Sequence, residues 1–246
     1  MQSKQRIDLY LLENNYCQTR SQAQQMIDFG LVKINQQVVN KSNYLIKTTD
    51  SLEVKPLKYV SRAGIKLAAA LNEFKVDVND KVILDIGAST GGFTDCCLQA
   101  GAKLVYALDV GTNQLAEKLK FNPKVINLEQ VNLKDLPNIK FNDIINIIVC
   151  DVSFISLKHV FANLKNLQND ELIMVFLIKP QFELDQKIIN QTKGIIKNPK
   201  HHQLAIDKVK EYAIQNNFEL KQIINSPILG KKGENQEFIG YFQCKK

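Results

Sequence analysis

The 246-residue chain predicts an α/β fold, with a seven-stranded and mostly parallel sheet preceded by a small α+β module. Helical and strand patterns alternate from Ser61 to the last predicted strand, which is typical of a parallel sheet covered on both faces. Residues 144–149 and 173–177 are almost continuously apolar, as central buried strands are. Pro56 interrupts regular structure between the two patterns. We therefore predict two domains, residues 1–58 and residues 59–246.

The predicted elements follow from hydrophobic spacing and from turn residues. In the first domain these are helices 6–12 and 19–27 and strands 31–34, 38–39 and 51–54. In the second they are helix 62–75, strand 81–86, helix 92–100, strand 103–109, helix 113–120, strands 124–128 and 144–150, helix 156–167, strand 171–178, helix 200–217 and strands 219–225 and 236–243. No helix separates the last two strands, so one of them is expected to run antiparallel to the rest.

Composition excludes several classes of protein. Lys and Arg outnumber Asp and Glu by 32 to 25, a net charge of +7 that favours a polyanionic partner. No stretch approaches the roughly 20 apolar residues that span a bilayer, and no secretory apolar region follows the first residues. Five cysteines without C-x-x-C spacing predict neither a disulfide framework nor a zinc site. We expect a cytoplasmic protein without a metal or a membrane partner.

The glycine-rich turn of residues 84–93, Leu-Asp-Ile-Gly-Ala-Ser-Thr-Gly-Gly-Phe, predicts a cofactor site. It lacks the close glycine pair of a dinucleotide fingerprint, and it resembles the S-adenosylmethionine loop of class I methyltransferases. Asp109 ends the next strand, where a carboxylate accepts hydrogen bonds from ribose hydroxyls. The alternative is a tight turn with Asp109 as a cap. The predicted cofactor residues are Asp85, Gly87, Ser89, Thr90, Gly91, Gly92, Phe93, Asp109 and Asn132.

Asp151 and Lys179 end two further strands of the predicted sheet. A lysine at the end of a buried strand is unusual, because lysine is rarely buried without a purpose. Together with Lys66 and Glu237 they resemble the Lys-Asp-Lys-Glu set of ribose 2′-O-methyltransferases. A sugar hydroxyl is a poor nucleophile that must be oriented and lose its proton as it attacks. Lys179 is either the base or the cation that stabilises the developing oxyanion.

Three neighbouring features bear on this predicted site. The Asp-Val-Ser-Phe segment 151–154 has no proline, unlike the motif of enzymes that methylate amino groups. Cys150 precedes Asp151 and is interpreted as a packing residue. Glu234 is a rival for the role assigned to Glu237, because both lie in the segment Gly-Glu-Asn-Gln-Glu.

The first domain resembles the small RNA-binding domain of a small-subunit ribosomal protein, tyrosyl-tRNA synthetases and pseudouridine synthases. Five separated pieces match in order over residues 5–56, from Arg-Ile-Asp at 6–8 to Asp-Ser-Leu-Glu-Val at 50–54. Local contacts to RNA phosphates are expected to matter more than a long-range field. The predicted RNA-binding residues are Arg6, Arg20, Lys33, Lys41 and Arg62. A purely structural cap is the alternative.

Over essentially the whole chain the motifs resemble the TlyA (haemolysin A) family of ribosomal RNA cytidine 2′-O-methyltransferases, with a FtsJ-like catalytic domain. Supporting segments include Ser-Arg-Ala-Gly-Ile-Lys at 61–66 and Lys-Pro-Gln-Phe-Glu at 179–183. The resemblance implies a Rossmann-like class I methyltransferase fold, S-adenosylmethionine as cofactor and ribosomal RNA as partner. It also implies a mobile loop at residues 187–200. Short chain ends favour the large subunit. Competing hypotheses are a non-catalytic RNA-binding assembly protein and a membrane-lytic protein.

Overall fold

The structure is a computed structural model that describes residues 4–230 and 235–245. The chain divides into two compact units, Met1–Arg62 and Ala63–Lys246. No helix within the described ranges is long and apolar enough to cross a membrane.

The first unit is a small α+β module with a single apolar core. Its elements are β1 (Lys4–Arg6), α1 (Ile7–Glu13), α2 (Arg20–Asp28), β2 (Val32–Ile34), β3 (Gln37–Val38), β4 (Leu45–Lys47) and β5 (Leu52–Val54). Strand β2 lies between β3 and β5, whereas β1 pairs with β4, and all these pairs are antiparallel. The Thr19 side chain accepts a hydrogen bond from Gln22 N and caps α2. Sequence patterns missed β1 and β4, since three-residue strands are too short to show a period of two.

The second unit is a helix-covered sheet. Its elements are α3 (Ala63–Glu73), β6 (Val82–Ile86), α4 (Gly92–Gln99), β7 (Leu104–Leu108), α5 (Glu117–Lys120), β8 (Val125–Leu128), β9 (Ile147–Cys150), α6 (Leu157–Ala162), β10 (Ile173–Ile178), α7 (Pro180–Glu183), α8 (Gln186–Thr192), α9 (Pro199–Gln215), β11 (Phe218–Asn225) and β12 (Phe238–Cys244). Every residue of β6 and β9 is buried, and β10 is buried from its second residue onward. These three strands form the centre of the sheet.

The strand order is β11-β12-β10-β9-β6-β7-β8. The adjacent strands β10, β9, β6, β7 and β8 are parallel to one another, whereas β12 is antiparallel to both β10 and β11. The predicted seven-stranded, mostly parallel sheet with an antiparallel last strand is confirmed. The carboxyl ends of the parallel strands and the amino end of β12 meet at one edge of the sheet, here called the carboxyl edge.

Several predicted elements differ in extent from the observed ones. Strand β9 begins at Ile147 rather than at residue 144, because the Asn146 side chain accepts a hydrogen bond from Val82 N and Ile144 is exposed. The helix predicted over 113–120 shortens to α5, and the one over 156–167 ends at Ala162 before a separate 3-10 turn at Lys165–Leu167. Within the segment predicted as a mobile loop, residues 187–192 lie in α8 and residues 199–200 begin α9.

Candidate active site

The carboxyl edge brings together side chains that are far apart in sequence. Ile86 pairs with Cys150 across β6 and β9, so Gly87 and Asp151 leave the sheet side by side. Ile178 pairs with Phe238 across β10 and β12, so Lys179 and Glu237 are also neighbours. The glycine turn and the predicted catalytic residues of three strands therefore follow one another along this edge.

Lys179 makes a close ion pair with Asp151. Its Nζ lies 2.6 Å from Asp151 Oδ1, and it donates a hydrogen bond to Ser153 Oγ at 2.8 Å. Only 9% of the Lys179 side chain and 16% of the Asp151 side chain are exposed. The ammonium is thus held at the carboxyl edge by two oxygens from the loop after β9.

Lys66 makes the second ion pair, with Glu237. Its Nζ donates to Glu237 Oε2 at 2.5 Å, and both side chains are more than nine-tenths buried. Lys66 lies on α3 and Glu237 directly precedes β12, so the pair joins the two ends of the second unit. Breaking such a buried pair by removing one partner costs about 3–5 kcal/mol. The rival Glu234 lies outside the described residues.

Glycine is required at two positions of the turn after β6. Gly87 has φ +80°, and a Cβ there would lie 3.1 Å from Asp151 O. Gly91 has φ +89° and caps α4, and a Cβ there would lie 2.3 Å from Leu119 Cδ1. Other residues adopt this left-handed conformation only with strain. At Gly87 the turn therefore packs closely against the backbone of Asp151, with no room for a side chain between them.

Asp85 is fully buried beneath this turn. Its Oδ2 accepts hydrogen bonds from Thr94 N at 2.9 Å and Thr94 Oγ1 at 2.6 Å. Its Oδ1 has no hydrogen-bond partner within the residues that the structure describes. Burial raises the pKa of this carboxyl to about 7, against the lowering effect of the Thr94 hydrogen bonds.

Asp109 lies at the end of β7, as the sequence predicts, and holds the turn. It accepts hydrogen bonds from Ser89 N at 2.8 Å and from Gly111 N at 2.7 Å. Thr90 is exposed, whereas Gly92 and Phe93 are buried in the first turn of α4. Asn132 is exposed, and its side-chain oxygen accepts a hydrogen bond from Lys134 N as the cap of a 3-10 turn.

These features fit S-adenosylmethionine. Gly87 brings the turn close to the backbone of Asp151, and Asp109 is a strand-end carboxylate of the kind that binds ribose hydroxyls. The unpartnered buried oxygen of Asp85 suits a ligand that carries positive charge, because a cation nearby favours the ionised carboxylate.

Two residues near Lys179 were not in the predicted site. Ser153 accepts the Lys179 hydrogen bond. Phe154 is 91% exposed, has φ +66° and lies with its ring centroid 5.3 Å from that of Phe182. An exposed aromatic ring on strained backbone is a signal of function that the sequence does not show, since neither exposure nor φ can be read from it.

Cys150 lies in the core, on the strand before Asp151. Its side chain is fully buried, and burial raises the pKa of its thiol far above the usual range. A buried neutral thiol is a packing residue and not a nucleophile.

Two of the predicted RNA-binding residues, Arg6 and Arg20, contact Asp8. Arg6 donates two hydrogen bonds to the Asp8 carboxylate, and Arg20 Nε donates a third at 2.8 Å. The Arg6 hydrogen bonds lower the pKa of Asp8 to about 2. The side chains of Arg6 and Arg20 remain 40% and 55% exposed, so both residues pair with Asp8 and also contribute positive charge to the surface.

The other basic residues predicted to bind RNA differ in their surroundings. Lys33 Nζ lies 3.6 Å from Glu53 Oε2, and both side chains are partly exposed. Lys41 is exposed and Arg62 is half-buried.

The strand order, the antiparallel last strand and the glycine turn together define a Rossmann-like class I methyltransferase. The chain belongs to the FtsJ-like methyltransferase family, whose model matches residues 59–243, and residues 5–52 match the S4 domain.

Several similar proteins cover most of the chain. Hemolysin A of Brachyspira hyodysenteriae is 43% identical over 96% of this chain and 99% of the relative. The 23S rRNA (cytidine-2′-O)-methyltransferase TlyA of Campylobacter jejuni is 39% identical over 80% and 76% of the two chains. The 16S/23S rRNA (cytidine-2′-O)-methyltransferase TlyA of Mycobacterium tuberculosis is 32% identical over 97% and 90%. A solved structure from Streptococcus thermophilus that bears a hemolysin name has a TM-score of 0.77 at 37% identity, covering 100% of this chain and 90% of that one.

Proposed function

We propose that this enzyme transfers a methyl group from S-adenosylmethionine to the ribose 2′-hydroxyl of a cytidine in ribosomal RNA. The observation that carries the proposal is the pair of lysine–carboxylate contacts, Lys179–Asp151 and Lys66–Glu237, at the edge where the glycine turn leaves the sheet. The TlyA relatives bear names for the same reaction. We propose the large subunit as substrate, because 23S rRNA is common to both names.

Lys179 acts on the attacking oxygen in this proposal. S-adenosylmethionine, when bound, supplies an electrophilic methyl group on a sulfonium. The Lys179 ammonium, 2.6 Å from Asp151 Oδ1, is placed to stabilise negative charge developing on the 2′-oxygen. Asp151 accepts the hydroxyl proton and Ser153 orients the ammonium. Of the two roles that the sequence leaves open for Lys179, we therefore propose the oxyanion stabiliser.

Lys66 and Glu237 complete the proposed site. Their buried contact ties α3 to the start of β12, directly beside Lys179 in the strand register. A second fixed charge pair gives the pocket a preorganised field without adding net charge.

Phe154 is proposed to hold the target base. Its ring is 91% exposed and follows Ser153, whose hydroxyl accepts the Lys179 hydrogen bond. Stacking of a nucleobase on an aromatic side chain is worth about 1–3 kcal/mol. A stacked cytosine would bring its own ribose toward Lys179.

The first domain, residues 1–58, is proposed to bind ribosomal RNA, and residues 59–246 to carry out methyl transfer. Support comes from the S4 match and from the partly exposed side chains of Arg6 and Arg20. The proposed substrate also supports a cytoplasmic location.

The test is methyl transfer to ribosomal subunits from cells that lack this gene. Large subunits, small subunits and bulk tRNA are each incubated with the protein and radiolabelled S-adenosylmethionine, and the 2′-O-methylated nucleotide is mapped by mass spectrometry. We expect label on a 23S rRNA cytidine. Absence of transfer to every ribosomal substrate, with cofactor bound in calorimetry, would refute the proposed substrate.

Variants then test the assigned groups. Lys179→Ala is expected to lower kcat by about 10²–10⁴-fold, because it removes the charge at the reacting oxygen. Lys221→Ala is the matched control, since Lys221 is also ion-paired and lies on the same sheet but at an exposed edge strand. Wild-type kcat in the Lys179 variant would contradict the proposed role.

A further inference from the structure

Glu183 is a buried carboxylate that neither the catalytic pairs nor the cofactor turn uses. It is 5% exposed and ends α7, the helical turn that directly follows Lys179. Ser156 Oγ donates to its Oε2 at 2.6 Å, and Leu157 N donates to its Oε1 at 2.9 Å. Both carboxylate oxygens are therefore committed to the start of α6.

The segment between β9 and α6, here called the 151–156 loop, is held at both ends by residues 179–183. At one end Asp151 and Ser153 contact Lys179 Nζ. At the other end Ser156 and Leu157 bind Glu183. Between these ends the loop contains Phe154 at φ +66°, a backbone conformation that persists only where the surroundings hold it.

Both partners of Glu183 are hydrogen-bond donors. Ser156 Oγ accepts a hydrogen bond from Lys158 N as the cap of α6 and donates its own proton to one carboxylate oxygen, while Leu157 N donates to the other. A carboxylate offers two acceptor oxygens, whereas an amide offers one oxygen and an NH₂ group that cannot accept. Glutamine could not keep both hydrogen bonds in the observed geometry, so the contact depends on the carboxylate and not only on the shape of the side chain.

We propose that Glu183 is a positioning residue for methyl transfer, which fixes the 151–156 loop so that Asp151 and Ser153 hold the Lys179 ammonium in its reactive orientation. This inference rests on the proposed function. A displacement of about 1 Å in a positioned group can cost about a hundredfold in rate, so loosening the far end of the loop affects kcat. Burial raises the pKa of Glu183, and Lys208 opposes this rise, as expected for a carboxylate held away from water.

The experiment compares wild type with Glu183→Gln under saturating cofactor and large subunits. We expect kcat to fall by about 10–100-fold, while the cofactor Kd and the KM for the RNA change by less than about twofold. Ser156→Ala removes the same contact from the other side and is expected to give a similar loss. In the double variant the loss should be smaller than the product of the two single losses, because both changes break the Ser156–Glu183 hydrogen bond.

Asp143→Asn is the matched control. Asp143 also accepts a hydrogen bond from a neutral hydroxyl, that of Tyr106, but it precedes β9 at the opposite edge of the sheet. Its kcat should equal that of wild type. Thermal unfolding of each variant identifies any loss of fold, in which case Ser156→Ala decides the question.

The outcomes separate the two proposals. A wild-type protein that transfers no methyl group refutes the proposed function. An active wild type with unchanged kcat in Glu183→Gln or Ser156→Ala refutes the positioning role alone. A loss of kcat that Asp143→Asn shows to the same extent indicates general damage and likewise refutes the positioning role. So does a change in KM with kcat unchanged.

Discussion

The buried carboxyl of Asp85 makes the stability of the second unit depend on pH. Its pKa rises from an ordinary 3.8 to about 7, because the side chain is fully buried and one oxygen has no partner within the described residues. A raised pKa in an acid means that the folded state binds the proton more tightly than the unfolded state. The stability that this proton contributes is therefore fully present below about pH 4 and is lost as the pH rises through 7.

The size of this effect follows from the shift. Between pH 5 and pH 7 the folded state keeps the proton that the unfolded state has lost, and each pH unit then lowers the free energy of unfolding by about 1.4 kcal/mol. The carboxyl therefore makes the free energy of unfolding about 3 kcal/mol smaller at pH 8 than at pH 5. The variant Asp85→Asn removes this titration. Relative to wild type, its Tm should rise by roughly 5–10 °C more at pH 8 than at pH 5 for a unit of this size.

Differential scanning calorimetry of the cofactor-free protein at the two pH values measures the difference. Thr94→Val provides a second test, because the Thr94 hydroxyl lowers the pKa of Asp85 and its loss should extend the fall in stability to higher pH. If Asp85→Asn shifted Tm equally at both pH values, the carboxyl would titrate normally and the argument from burial would be wrong.

Three other predictions concern the turn, the exposed ring and the first unit. Gly91→Ala should lose about 1–2 kcal/mol and weaken cofactor binding in calorimetry, because φ +89° is strained for alanine and its Cβ would displace Leu119. Phe154→Ala should leave Tm within about 1 °C, since the ring is 91% exposed, yet lower kcat/KM for RNA by roughly tenfold; an unchanged kcat/KM would exclude base stacking. Asp8, whose pKa the Arg6 hydrogen bonds lower to about 2, contributes stability above about pH 4 that is lost toward pH 2. In Asp8→Asn, hydrogen exchange in α1 and α2 should be faster than in wild type at pH 6, and the difference should shrink as the pH falls toward 2.

Much of this fold could be predicted from the sequence. The apolar runs that become β9 and β10 are almost continuous, as in strands covered on both faces, so their burial could be predicted from the sequence. The antiparallel β12 follows from the missing helix before it. Short elements such as β1 and α7 could not be predicted, because three or four residues carry no readable period.

The sequence also determined which kinds of residue form the site, because parallel strands must end at a common edge. These are a glycine turn, strand-end acids and two unusual lysines. Only the tertiary structure decided how they pair. Residue spacing cannot show that Lys179 contacts Asp151 and Ser153 whereas Lys66 crosses the unit to Glu237, since strand register and helix packing set these distances. The committed oxygens of Glu183 and the exposed ring of Phe154 likewise depend on solvent exposure, which exists only once the chain has folded.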